Sequence, residues 1–374
     1  MTPLGRRRFL SVAGPIGWVC HSLVPIGRRS YAAESSGANH RDGVELDDGP
    51  IDAAIDRGIE FLVRSAAKDG SIADNGHPTA MSSLAIMALA AIGTTVGDDT
   101  ERSATMRNAL RYVLLPANQD REGYFGRKDS SRMYGHGITT LMLTEMLGMA
   151  ETIQQNAIIH DALDRAIKLI LASQQVPKPA KHRGGWRYAP DSRDSDLSVS
   201  IWQLMALRSA KNDGLDVPGT AIDAAIEYLI NSFETRQRKS SDDGVGGFTY
   251  TPKSGNPTFT MTAAGLLAMQ VCGRYDSPVV RGSANYLQRN PPKTSERFLF
   301  YGLYYYAQGM YQYGGQHSQE ATAMTRKILT TLQSDDGSFM ARGGQERNIG
   351  RVYCTALAIL ALTVRYHYLP IYQR

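Results

Sequence analysis

The stretch RDSDLSVSIWQLMAL, residues 193–207, sets Asp194 and Asp196 at the head of an apolar segment with helical spacing. Carboxylates so placed can do two kinds of work. Asp196 can protonate a substrate if a dry pocket holds it in its neutral form. It can also accept hydrogen bonds from the first backbone N–H groups of the helix, which no intrahelical carbonyl reaches. A helix N-terminus favours the ionised carboxylate by about 0.3–1 kcal/mol, which counts for capping. Thr79, Thr258, Ser295 and Asn348 stand at corresponding places before other apolar segments, and all are good N-cap residues. The pattern predicts that Asp196 is a cap, and it leaves Asp194 and Asp196 as the catalytic candidates.

Two further stretches carry binding chemistry. The loop VPKPAKHRGGWRYAPDSRDS holds Lys178, Lys181, His182, Arg183, Trp186, Arg187 and Arg193. Its cations are suited to an anionic group, or to simple solvation. FLFYGLYYYAQGMYQY places Phe298, Tyr301, Tyr304, Tyr305 and Tyr311 on one helix. Their rings would line an apolar or cation-stabilising lumen, or pack as ordinary core. His136 approaches the same end of the chain's architecture. The ligand-binding candidates are therefore His136, Trp186, Arg187, Phe298, Tyr301, Tyr304 and Tyr305.

No metal or cofactor is expected. Cys272 and Cys354 have no CxxC partner and no paired histidines nearby. On parallel helices they would lie on the order of 15 Å apart, too far for a disulfide.

The elements that must position these residues come in pairs. Amphipathic stretches such as IDAAIDRGIEFLVRSA repeat apolar residues at intervals of three and four, as at Ile51, Ile55, Ile59 and Leu62. Each is followed by a nearly uncharged stretch, as TAMSSLAIMALAAIG or VYCTALAILALTV. Between them lie loops with Gly followed by an aromatic or apolar residue, at Gly70, Gly123, Gly185, Gly247 and Gly337. Six such pairs predict an all-α protein: an α6/α6 toroid, a double ring of six helix pairs over residues 50–374. An open solenoid would need a polar last repeat, and both ends here are as apolar as the middle. Repeat five is irregular, with NPPKTSE in place of the glycine loop.

QDREGYF (Gln119, Gly123, Phe125) and QSDDGSF (Gln333, Gly337, Phe339) both read Gln-x3-Gly-x-aromatic, and GGWRY keeps the Gly and Trp186 after an insertion beyond Gln175. This resembles the QW motif of squalene–hopene cyclases and of the prenyltransferase and squalene oxidase repeats, over roughly residues 50–370. It looks closest to exported bacterial proteins made of one such toroid. Against the Asp-x-Asp-Asp acid motif of class II terpene cyclases, the resemblance matches Asp194 and Asp196, with Leu197 where the last Asp belongs. Against the zinc site of protein prenyltransferases it offers Cys354, with Val352 where the Asp belongs.

The first 32 residues read as a twin-arginine export signal, with Arg6, Arg7, Phe9 and Leu10 and small residues near Ala32; residues 33–49 read as a flexible segment. The signal's apolar run is shorter than the roughly 20 residues a membrane span needs, so no anchor is expected after processing. Those 32 residues hold five arginines and no acid, so the net charge of +5 falls to zero in the processed chain. A neutral body gives no electrostatic reason to bind nucleic acid. The leading expectation is an exported, periplasmic or secreted toroid that binds an apolar, isoprenoid-like small molecule or a protein partner. The alternatives are a divergent terpene cyclase or isomerase with Asp196 as acid, and a polysaccharide lyase or glycosidase on the same ring.

Overall fold

The inner helices are the uncharged ones, and their sequence dictates that place: apolar on every side, they are stable only when covered on every side. The computed structural model describes residues 48–235, 244–366 and 368–373. The expected signal, residues 1–32, and the segment 33–47 lie outside the described residues. The inner ring is formed by α2 (Pro78–Ala91), α4 (Arg132–Met146), α6 (Leu197–Asn212), α8 (Phe259–Val271), α10 (Leu299–Tyr313) and α13 (Arg351–Leu362). Each packs on the next, and α13 packs on both α10 and α2, so the ring closes. The sheath is α1 (Gly49–Arg64), α3 (Glu101–Val113), α5 (Ile153–Gln175), α7 (Gly219–Asn231), α9 (Pro278–Arg289) and α11 (Gly315–Thr330), with α11 meeting α1 across the seam. A single turn, α12 (Gly344–Arg347), precedes α13, and a short hairpin, β1 (Phe233–Thr235) with β2 (Gly246–Phe248), precedes α8. The protein is an all-α toroid of six helix pairs. No helix among the described residues is long and apolar enough to cross a membrane.

The glutamines of the loops staple one repeat to the next. Gln119 Nε2 donates to Gly123 O of its own loop at 3.0 Å and to Ala162 O of the next outer helix at 2.8 Å. Gln333 does the same with Gly337 O and with Ala54 O of α1, across the seam, at 3.0 and 2.8 Å. In the third repeat the staple is Gln174, donating to Gly184 O and Ala221 O, and not Gln175 as the spacing suggested. The loop glycine that follows Gln333 is required by contact as well as conformation. Gly337 has φ +85°, and a Cβ there would lie 2.2 Å from Arg57 O.

The side chain after each loop glycine is buried, and its backbone N–H is received by the following inner helix. Ile72, Trp186, Phe248 and Phe339 donate to the hydroxyls of Ser82, Ser200, Thr262 and Thr355 at 2.8–3.0 Å. In the second repeat Phe125 N–H donates to His136 Nδ1 at 3.3 Å instead.

Candidate functional site

The end of the ring where the inner helices begin is governed by a capping rule. Asp74, in the loop before α2, accepts from Arg351 N and Val352 N at the start of α13, at 2.6 and 3.2 Å. Asp129, before α4, accepts from Ala80 N of α2 at 3.2 Å. Glu346, before α13, accepts from Phe300 N and Tyr301 N of α10 at 3.1 and 3.0 Å. In each case a carboxylate from one repeat caps the inner helix of the repeat before it in the ring, satisfying donors that a helix leaves open. Three of the expected caps are thereby corrected. Thr79 is buried with its hydroxyl unpartnered, and Ser295 and Asn348 fall short of their helix starts at Leu299 and Arg351. A cap from another repeat leaves no local signature in sequence. Thr258 does cap α8, accepting from Met261 N at 3.2 Å.

Repeats three and four depart from this rule. There the donors of α4 and α6 are received by backbone carbonyls: Met133 N donates to Tyr188 O at 3.1 Å, and Leu197 N to Tyr250 O at 2.8 Å. The side chains of those two tyrosines turn to the mouth of the ring, where their hydroxyls meet. The Arg187 guanidinium lies over both rings, 5.1 Å from the Tyr188 centroid and 5.8 Å from that of Tyr250. It also pairs with Asp194 at 3.4 Å and Asp196 at 3.5 Å. Asp194 is half exposed, whereas Asp196 is wholly buried beneath the cluster.

Asp196 caps its own helix. Its Oδ1 accepts from Val199 N at 2.9 Å and from Ser198 Oγ at 2.6 Å. Its Oδ2 is buried and faces the Arg187 guanidinium and the Tyr250 hydroxyl. Burial pushes the carboxyl pKa up, while the Ser198 and Val199 hydrogen bonds and Arg187 pull it down; burial is the larger effect. Because the cap uses Oδ1 alone, Asp196→Asn is expected to melt within about 0.5 kcal/mol of wild type, whereas Asp196→Ala loses about 0.5–2 kcal/mol. Denaturant titration of both variants checks the order, and an Asn variant as damaged as Ala would count against the cap.

The remaining sequence candidates fall elsewhere. His136 is buried, and it takes the place filled by a hydroxyl in the other loops; its Nε2–H donates to Ala166 O at 3.2 Å while Nδ1 accepts. Burial pushes its pKa down to about 4, so the ring is neutral. Trp186 is buried, and its indole N–H donates to Ile170 O at 2.9 Å. Phe298 sits half-buried at the N-cap of α10, under the Arg297 guanidinium. Tyr301, Tyr304 and Tyr305 are on the axis but fill it: Trp202 stacks on Tyr304 with planes 9° apart, and Tyr304 and Tyr305 centroids are 4.6 Å apart. Two cavities among the described residues, one between α10, α11 and the end of α13 and one beside Gln308 and Tyr372, measure about 30 and 10 Å³, room for a water molecule or two. Of the basic loop, Lys178 is buried and donates to Ser173 O and Gln174 O at the end of α5, and His182 pairs with Ser195. Cys272 and Cys354 are free thiols, and no group of three His, Cys, Asp or Glu among the described residues is placed to hold a metal.

Sequence reasoning missed Tyr188, Tyr250 and Glu346. The two tyrosines were within reach, since they lie 62 positions apart, the interval between Gly185 and Gly247. Glu346 is buried, and burial pushes its pKa from an ordinary 4.5 up to about 7, against the backbone hydrogen bonds of Tyr301, Phe300 and Leu299. A carboxyl raised by folding stabilises fully below pH 4.5 and loses that contribution as pH rises through 7. Glu346→Gln removes that pH dependence but can replace only one of the two accepting oxygens, so it is expected to be less stable than wild type near pH 4.5, with the gap narrowing as pH rises through 7. Thermal melts across that range check the sign, and a gap that widens with pH would reverse it.

No family model matches the chain, and no curated protein matches it by sequence. Solved structures share its ring. A cellobiose 2-epimerase from Bacillus thermoamylovorans matches with a TM-score of 0.60 at 11% identity, over 84% of this chain and 99% of that one. An α-1,6-mannanase of Salegentibacter sp., solved in complex with α-1,6-mannotriose, matches at 0.59 and 10% identity, over 85% and 99%. A type II terpene cyclase from Scytonema matches at 0.50 and 13% identity, over 86% and 98%. At these identities the likeness establishes the α/α toroid fold.

Proposed function

We propose that the protein recognises a saccharide at the mouth of the ring, on the surface formed by Arg187, Tyr188, Tyr250 and Asp194. One observation carries the reading: the backbone carbonyls of Tyr188 and Tyr250 receive the first N–H groups of α4 and α6, and this sets the two tyrosine rings side by side at the mouth, around the charged, hydrogen-bonding Arg187 and Asp194. A sugar ring presents an apolar C–H face and a rim of hydroxyls. Tyrosine offers a matching amphipathic face, and the half-exposed Asp194 and Arg187 offer an acceptor and donors for the rim. The mannanase and the epimerase that share the ring are named for carbohydrate substrates, which agrees with this class of ligand. An apolar ligand in the lumen has less support, because Trp202, Tyr301, Tyr304 and Tyr305 pack ring against ring where it would lie.

A second reading keeps Asp196 as a general acid behind that surface, favoured by its burial, its Oδ2 turned toward Arg187 and Tyr250, and its raised pKa. Under it, a bound saccharide would be turned over by wild type and left intact by Asp196→Asn.

The test is retardation in native gels containing mannan, a β-glucan or a polyuronate. Wild type is expected to be retarded by at least one of them. Tyr250→Ala should weaken that binding about tenfold, equivalent to about 1.4 kcal/mol, with the ring still folded, because the bond to the start of α6 is made by the backbone oxygen of residue 250 and survives the substitution. Migration unaffected by all three, together with an isoprenoid lipid recovered from the native protein, would replace the saccharide reading with the lumen one.

A further inference from the structure

Charge at the mouth of the ring is balanced around one cation. Among the described residues Arg187 is the only cation over the tyrosine rings of that surface, 5.1 Å from the Tyr188 centroid and 5.8 Å from that of Tyr250. Both rings engage its guanidinium, and two carboxylates pair with it. Nη1 lies 3.4 Å from Asp194 Oδ2, and Nε lies 3.5 Å from Asp196 Oδ2. With Asp196 ionised or neutral, the three side chains sum to −1 or to zero, and never to a positive charge.

The other ionisable groups of the two loops add no free cation to the rings. Lys178 is buried, and its Nζ donates to Ser173 O, Gln174 O and Val176 O at 2.8–3.4 Å, so its charge is held at the end of α5. Desolvation and the charge of Lys181 push the His182 pKa down, so that ring is neutral at pH 7. Lys181, Arg183, Arg193 and Lys253 are exposed, where physiological salt screens a charge within about 8 Å. The remaining polar groups of the surface are hydroxyls. Tyr134 adds a third ring beside Tyr188, with centroids 5.8 Å apart. Burial pushes the Tyr134 and Tyr250 pKa values up, so both stay protonated.

We propose that this surface takes neutral saccharides and turns away those that carry carboxylates, and that Asp194 sets the preference. The preference presupposes saccharide binding at the mouth and narrows its ligand class. A hydroxymethyl group beside Arg187 can donate to Asp194, which is half exposed and only an acceptor. A carboxylate in the same place meets Asp194 as a like charge, and an Arg187 that is already paired returns less than an unpaired one would. With the Asp194 charge removed, the Nη1 edge of Arg187 loses its carboxylate and becomes a place for another.

Calorimetric titrations of the full chain in physiological salt test it. The probes are oligosaccharides of mannan and of a β-glucan, each paired with a copy whose free hydroxymethyl groups are oxidised to carboxylates. Wild type is expected to bind at least one neutral probe about tenfold more tightly than its oxidised copy. Asp194→Asn is expected to close that gap about fivefold or more, by gaining affinity for the oxidised copy. Asp194→Glu keeps the charge and should keep the gap. Both variants should fold, because Asp194 is half exposed and such a pair adds little stability. Wild type that binds the two copies equally would overturn the charge gate and leave saccharide binding in place. An Asp194→Asn that keeps the gap, or an Asp194→Glu that closes it, would do the same. Wild type that binds no probe would overturn both.

Discussion

Removal of residues 348–374 is expected to abolish cooperative unfolding of the whole ring. The deletion takes away α13, which lies between α10 and α2 and against α1. Val352, Leu357, Ile359, Leu360 and Leu362 are all buried there, at 0–3% exposure. At about 1.5–3 kcal/mol for each such side chain, their loss alone is comparable to the roughly 5–15 kcal/mol by which a folded domain is stable. The newly exposed faces of α2 and α10 would also drive association. Circular dichroism melts and size-exclusion chromatography check this. A truncated chain that stays monomeric with an unchanged unfolding midpoint would mean that α13 is a peripheral element and that closure carries no stability.

Gly337→Ala is the second large effect, and it separates two causes. The residue sits at φ +85°, where an L side chain costs roughly 1–2 kcal/mol. Its Cβ would also stand 2.2 Å from Arg57 O, so the loop must move off α1 and stretch the Gln333 staple. A total loss of about 3 kcal/mol or more follows from strain and clash together. Gly214 supplies the control, because it closes a helix at φ +81° and has nothing within 4 Å of a Cβ. Gly214→Ala should show the strain alone, and denaturant midpoints for the two variants give the difference. Equal losses would show that the approach to Arg57 relaxes freely.

The ring was legible because it is written in composition. Six uncharged stretches alternate with six amphipathic ones, and that contrast reports burial directly. The staples were legible in part: Gln119 and Gln333 fit a spacing, but Gln174 does not, since its loop is longer and the bond selects by reach. Asp196 and Thr258 cap the helices they precede, so local sequence shows them. Asp74, Asp129 and Glu346 cap helices of another repeat, and nothing beside them in the chain marks that. His136 shows the same limit from the other side. A histidine on an inner helix invites a chemical role, yet its Nδ1 does what a serine or threonine hydroxyl does in the neighbouring loops. Tyr301, Tyr304 and Tyr305 of α10 pack on Trp202; whether an axis is empty or filled depends on how six helices pack, which no single segment encodes.

The staples also decide how such a molecule comes apart. A linear stack of repeats frays from its two ends, where each unit has one neighbour. In this ring the contact between the last repeat and the first uses the same pair of bonds, Gln333 to Ala54 O and to Gly337 O, that joins the second repeat to the third. The chain's termini are therefore not its weak point, and opening any repeat sacrifices two junctions. The weak point is displaced into the interior of the sequence, to the stretch NPPKTSE of repeat five, which has neither the glutamine nor the glycine of a staple. There the tie to the next repeat includes Glu346 on the start of α10, a group whose charge changes near pH 7. Unfolding should begin in the middle of the chain, between two segments that are neighbours in sequence, and begin sooner in alkali than in acid.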